Sequence, residues 1–133
     1  MPRSYDIRAA AFACGANTKW VENLLSRYEL PGVARARQGI QRRISDDGLL
    51  AIELVRVLNH EVGVSVARAA EIARRVMTSR STENVDRVEV SLASGCDLRI
   101  DIASLELRLR REVINAMEAL GQVKRGRPRR TVA

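Results

Sequence analysis

Large aromatic side chains are nearly absent from this chain of 133 residues, which has one Trp, one Phe and two Tyr. Tyr5, Phe12, Trp20 and Tyr28 all fall near the N-terminus. A binder of single-stranded nucleic acid spreads aromatics over a stacking platform, so that class is not expected, and bulky packing is expected to gather in the first helices. Cysteine is equally scarce. Cys14 occupies an apolar helical position and Cys96 a turn, far apart in sequence, so neither a disulfide nor a metal site is implied. The single histidine, His60, has no cysteine or carboxylate cluster at ligand spacing and reads as a surface or capping residue. It also lacks a paired nucleophile and orienting acid, and the glycines are scattered rather than gathered in a phosphate-binding loop. No catalytic residue, cofactor or metal is expected, and the chain is not read as an enzyme. No apolar run approaches membrane-spanning length and no signal peptide is visible, so the expected location is the cytoplasm, at the nucleoid.

What the chain does have is positive charge, unevenly placed, with a net of +7. Residues 1–80 hold 13 Lys/Arg against 8 Asp/Glu, residues 81–120 hold 5 against 8, and residues 121–133 hold 5 against 0. Arginine supplies nearly all of the cations, a bias that genome composition can produce, so placement carries more weight than amount. The basic ends point to nucleic acid and the acidic middle to something else.

The N-terminal pattern gives the basic region a shape. Ile7, Ala10, Ala11 and Cys14 recur at helical spacing, Gly15 suits a tight turn, and Asn17 or Thr18 is placed to cap a second helix. That helix turns Trp20, Val21, Leu24, Leu25 and Tyr28 inward and leaves Asn17, Lys19, Glu22, Asn23 and Ser26 outward. A short second helix with a hydrogen-bonding outer face suits a DNA major groove. Pro31-Gly32 stops it. Arg35, Arg37, Gly39, Arg42 and Arg43 then read as a basic hairpin, with Ile40 and Ile44 pinning two short strands to the core. Ser45-Asp46-Asp47 opens a third helix.

This order of features resembles the MerR family of bacterial transcription regulators. The resemblance rests on Tyr5-Asp6-Ile7, the Ala-rich first helix, Cys14-Gly15-Ala16-Asn17 and Tyr28-Glu29-Leu30-Pro31. It continues through Gly39, Arg42-Arg43-Ile44-Ser45 and Leu49 to Leu58, then Val62-Gly63-Val64-Ser65, covering about residues 5–77. It implies a winged helix-turn-helix. Glu22 stands where the family often has Arg, and Asn23 where an aromatic is common. Lys19, Asn17 and Asn23 are therefore the residues expected to reach base edges, with Thr18, Arg27, Arg35, Arg37, Arg42 and Arg43 beside them. The metal- and thiol-sensing branches need clustered cysteines and the drug-sensing branch a large C-terminal domain, so no small-molecule effector is expected.

Residues 49–77 read as two structural helices, with Asn59 to Gly63 as the turn between them. Arg68, Arg74, Arg75 and Arg80 line the outer side of the second, read as a solvated face. After a polar linker at 81–86, Val88, Val90 and Leu92 alternate with polar residues, as do Leu98, Ile100 and Ile102, around the turn at Ser94-Gly95. A helix follows with Leu105, Leu109, Val113, Ile114, Met117 and Leu120 as its stripe. An isolated hairpin is marginal in water, so its apolar face needs a partner. The reading adopted is a homodimer through residues 87–120, with packing inside one chain as the other possibility. The last segment, Lys124-Arg125-Gly126-Arg127-Pro128-Arg129-Arg130, resembles an AT-hook, in which arginines enter the narrow minor groove of A·T-rich DNA. Generic attraction to phosphate is the other reading.

The expected fold class is thus mainly α. A winged helix-turn-helix at 1–80 precedes a hairpin and helix at 87–120 and a flexible basic tail at 121–133. The expected function is sequence-preferring binding of double-stranded DNA, in transcriptional regulation or nucleoid organisation. The alternative is a protein-interaction module, antitoxin-like or a phage adaptor, whose hairpin and final helix bind another chain.

Overall fold

A computed structural model describes residues 4–34, 42–83 and 85–126, the side chains of 122–126 excepted. Asp6 opens the first helix by accepting from the Ala9 N–H at 2.8 Å, which satisfies one of the donors a helix start leaves unpaired. Helix α1 runs Ile7–Cys14 and ends at Gly15, whose φ of 65° is the left-handed conformation glycine adopts without penalty. Helix α2 follows at Thr18–Arg27.

A strand that the sequence pattern does not announce, β1 (Ser4–Tyr5), pairs antiparallel with β2 (Ile44–Ser45). Val33 bridges Ile44 as well, so Ile44 has a partner on each edge. The Ala34 N–H donates to the Arg43 carbonyl at 2.9 Å, so the chain leaves and re-enters this small sheet antiparallel to itself. Residues 35–41, which include Arg35, Arg37, Gly39 and Ile40, lie outside the described residues. The Ser45 hydroxyl accepts from Gly48 N–H at 3.2 Å and donates to the Gly32 carbonyl at 2.9 Å. This draws the loop onto the start of helix α3 (Asp46–Arg56). A Cβ at Gly32 or Gly48 would fall within 3 Å of the other's backbone, so both positions require glycine.

Helix α3 does not end at the turn expected from Asn59 to Gly63. It continues into a π-helical turn, Val57–Val62, closed by Gly63 at φ 85°. The Val64 N–H bonds the Leu58 carbonyl at 2.9 Å, and the Asn59 amide donates to the Val64 carbonyl at 2.8 Å. Those bonds seal the wider turn. Helix α4 spans Val66–Glu83. Strands β3 (Arg87–Ala93) and β4 (Cys96–Asp101) form the expected hairpin, with Val88 opposite Ile100 and Val90 opposite Leu98.

Helix α5 (Ile102–Gly126) departs from the sequence reading at both ends. Ile102 is its first residue rather than the last of a strand, because the Asp101 carboxylate accepts from Ser104 N–H at 3.1 Å and caps the helix there. At the other end, the boundary expected at residue 120 does not exist. The helix runs on through Gly121, where a Cβ would meet nothing, to Gly126.

The larger correction concerns the hairpin and α5 as a separate element. Ile100, Ile102, Leu109 and Val113 belong to the same buried cluster as Val21, Leu24, Leu50, Ile52, Ala73 and Val76. Helix α5 lies against α1 and α3. The apolar face that lacked a partner in sequence finds it within the chain, and the hairpin and α5 share one core with the helices before them. Each such side chain contributes about 1.5–3 kcal/mol. Of the aromatics, Tyr5 is buried in that core, Trp20 and Tyr28 pack half-buried against it and Phe12 is exposed, so the expected bulky packing near the N-terminus comes from three of the four. The architecture is mainly helical, with two small antiparallel sheets.

Candidate nucleic-acid interface

Helix α2 is held from three sides. Val21, Leu24 and Leu25 are buried, and the Trp20 ring lies 5.2 Å from the His60 ring on the π turn. At its C-terminal end the Arg42 guanidinium donates to the Leu25 carbonyl, one of those a helix end leaves open. What remains outward is a stripe in which Thr18, Lys19, Glu22, Asn23, Ser26 and Arg27 are exposed.

Not every residue expected to reach DNA is equally free to do so. Asn17 spends its side-chain oxygen on capping α2, accepting from the Lys19 N–H at 2.7 Å. The Ser26 hydroxyl is turned back onto the Asn23 carbonyl at 2.9 Å. The Lys19, Asn23 and Arg27 side chains make no hydrogen bond or ion pair among the described residues. Arg42 and Arg43, expected to act together, point apart, as consecutive residues of an extended segment do. Arg42 closes α2. Arg43 bonds Ser4, its Nη2 reaching the hydroxyl at 2.9 Å and the carbonyl at 3.0 Å. Both arginines therefore tie the sheet in place, Arg43 while exposed and Arg42 while half-buried. A cleft of about 510 Å³ separates the end of α2 from the sheet, lined by Ser26, Arg27, Tyr28, Val33, Ala34 and Arg42.

The C-terminal cations are placed only in part. Lys124 and Arg125 lie in the last turn of α5, away from α2 in the chain, while Arg127, Arg129 and Arg130 lie outside the described residues along with Arg35 and Arg37. On α4, the arginines read as a solvated face are mostly engaged. Arg68 bonds the Leu92 carbonyl, Arg74 the Glu29 carbonyl at 3.3 Å, and Arg80 bridges Asp47 and Glu106 at 2.9 and 2.5 Å. Arg75 pairs with Glu71 on its own helix.

The sequence reading missed Glu53, the one charged residue among the buried ones described. Arg56 holds one of its oxygens at 2.6 Å, and Arg108 from α5 holds the other at 2.9 Å. The three-residue spacing of Glu53 and Arg56 is a visible helical pair. Nothing in the sequence announces Arg108, since only the packing of α5 brings it there. Cys14 lies nearby, its thiol donating toward the Leu49 carbonyl. Burial, and then the Glu53 charge, push its pKa well above the ordinary thiol range, so it is an inert core residue. Cys96 is exposed.

Among the described residues no group of His, Cys, Asp and Glu is arranged to hold a metal ion, and no helix is long and apolar enough to cross a membrane. Comparison with protein-family models, with curated proteins and with solved structures found no match to this chain.

Proposed function

We propose that the protein binds double-stranded DNA as a homodimer, with α2 as the recognition helix of a MerR-like winged helix-turn-helix. The observation that carries this reading is the outward stripe of α2. Lys19 and Asn23 sit one helical turn apart, exposed and uncommitted, on a helix whose other face is fixed by packing. Lys and Asn are suited to the acceptors of guanine and the paired groups of adenine in the major groove. The cleft beside α2 has Arg27 and Arg42 in its walls, which suits a phosphate backbone. The tail adds a second, electrostatic contact or, as an AT-hook, a minor-groove one. The role is that of a transcriptional regulator or a nucleoid-shaping protein.

The dimer is supported by a second stripe on α5 that the sequence reading only half recognised. Leu107, Ile114 and Met117 are 53, 55 and 56 % exposed. With Ala103, Arg110 and Gly121 they recur at alternating steps of four and three, the seam of a two-helix coil. Ile114 is the midpoint of α5. An antiparallel pairing centred there sets Leu107 against Gly121 and Arg110 against Glu118, whereas a parallel one opposes like charges. Selection of bound duplexes from a random pool tests the DNA reading. Lys19→Ala with Asn23→Ala is expected to change the recovered motif, and recovery of the same motif overturns the assignment of α2. The same exposed stripe also favours the interaction-module reading, in which it meets a different chain; sedimentation of the purified protein as a monomer would support that instead.

A further inference from the structure

The outward face of α2 carries one carboxylate, and no donor in the fold engages it. Glu22 is exposed and makes no hydrogen bond or ion pair among the described residues. On a helix its surface neighbours lie three and four positions away. The Lys19 ammonium, three residues back, does not bridge to it. The Ser26 hydroxyl, four residues on, donates to the Asn23 carbonyl at 2.9 Å instead. The helix cannot turn this carboxylate elsewhere, because Val21, Leu24 and Leu25 are buried on the other face and the Trp20 ring lies against His60.

On a surface that meets duplex DNA, an idle carboxylate is unfavourable, since the phosphates repel it. It becomes favourable where it accepts a hydrogen bond from a base. Two bases offer an amino group in the major groove, cytosine through N4 and adenine through N6. Adenine sets its N7 acceptor beside that amino group, and the acceptor opposes a carboxylate. Cytosine has no acceptor on that edge. The guanine paired with the cytosine presents N7 and O6, which suit the Lys19 ammonium. Lys19 and Glu22, neighbours on one face of α2, thus supply the donor and the acceptor that the two bases of a G·C pair call for.

We infer that Glu22 is a specificity-determining residue, accepting from the N4 amino group of a cytosine whose guanine partner meets Lys19. The inference rests on the reading of α2 as the recognition helix, and its test separates the two. A duplex recovered from the random pool competes with copies in which each G·C pair in turn becomes A·T, and each A·T pair G·C. The full-length protein is expected to lose about tenfold or more in affinity when one particular G·C pair is replaced. Glu22→Gln is expected to lose no more than about twofold there, because the glutamine amide can donate to thymine O4. Lys19→Ala is expected to relax the same pair. If Glu22→Gln strengthens binding to every copy by one common factor, the carboxylate only repels phosphate and the inference is overturned. It is overturned equally if Glu22→Gln relaxes an A·T pair, or a G·C pair other than the one Lys19→Ala relaxes. In all three cases α2 remains on the DNA. If the unaltered protein recovers no motif at all, both the inference and the recognition helix fall.

Discussion

Helices α2 and α5 each bury one face and show the other, and they show opposite chemistry. The outward stripe of α2 is Lys19, Glu22, Asn23 and Ser26, hydrogen-bonding groups at home in water. That of α5 carries Leu107, Ile114 and Met117, which are not. Both are anchored through an arginine, Arg42 reaching under the end of α2 from the sheet and Arg108 of α5 itself reaching the buried Glu53 of α3. Fixing one face of a helix lets the other keep side chains that contribute nothing to the core. The polarity of that free face is what the proposal rests on, with a nucleic acid as the partner of α2 and a protein helix as that of α5.

The strongest way to break this comparison is to cut the two helices apart. A chain ending at residue 80 loses Ile100, Ile102, Leu109 and Val113 from the core and leaves Glu53 with Arg56 alone. It is expected to lack a cooperative urea transition, and a truncated chain that unfolds cooperatively would show α2 to be independent of α5. In the full chain, Arg56→Met with Arg108→Met strands the buried carboxylate and is expected to cost about 3–5 kcal/mol in the same measurement.

Ile114→Asp places a charge at the centre of the α5 seam. It is expected to leave the thermal transition intact, to halve the mass seen in sedimentation, and to weaken binding to a two-half-site duplex at least tenfold. A dimer that survives moves the self-contact off α5. Lys19→Ala or Asn23→Ala is expected to leave both mass and stability alone, while discrimination at one base pair falls by about 1–3 kcal/mol, read from competition between duplexes. The smallest effect belongs to the α5 cap. The bond from Ser104 holds the Asp101 pKa below its ordinary value. Its contribution to stability is therefore present above the ordinary aspartate range and fades as pH falls through it. Asp101→Asn is expected to flatten that part of the acid stability profile, and an unchanged profile would show that Asp101 does not hold the start of α5.

Much of the first half of the chain was legible because its signals are local. Gly15, Asn17 and Ser45 each act on backbone within a few residues, so their cap and turn chemistry read directly, whereas the cap at Asp6 was not read. The outward residues of α2 were legible for the same reason, since helical period alone sorts faces. The second half was less so. The α5 stripe mixed two faces, because Val113 and Ile114 are neighbours in sequence and sit on opposite sides of a packing boundary. The bonds of Arg42 to Leu25 and of Arg43 to Ser4 were not legible, because a basic residue in a loop carries no mark of whether its guanidinium faces solvent or a carbonyl.

The sequence by itself determined where α2, α3 and α4 begin, which residues of α2 turn outward, that β3 and β4 pair, and how charge is distributed along the chain. These follow from dihedral preference, period and composition, which are properties of short segments. The tertiary structure decided that the hairpin and α5 share one core with the helices before them, that β1 joins β2, that Arg108 completes the Glu53 clamp, and that Leu107, Ile114 and Met117 stay uncovered. Those depend on contacts between residues tens of positions apart. Their energy comes from burial and ion pairing that no local pattern encodes.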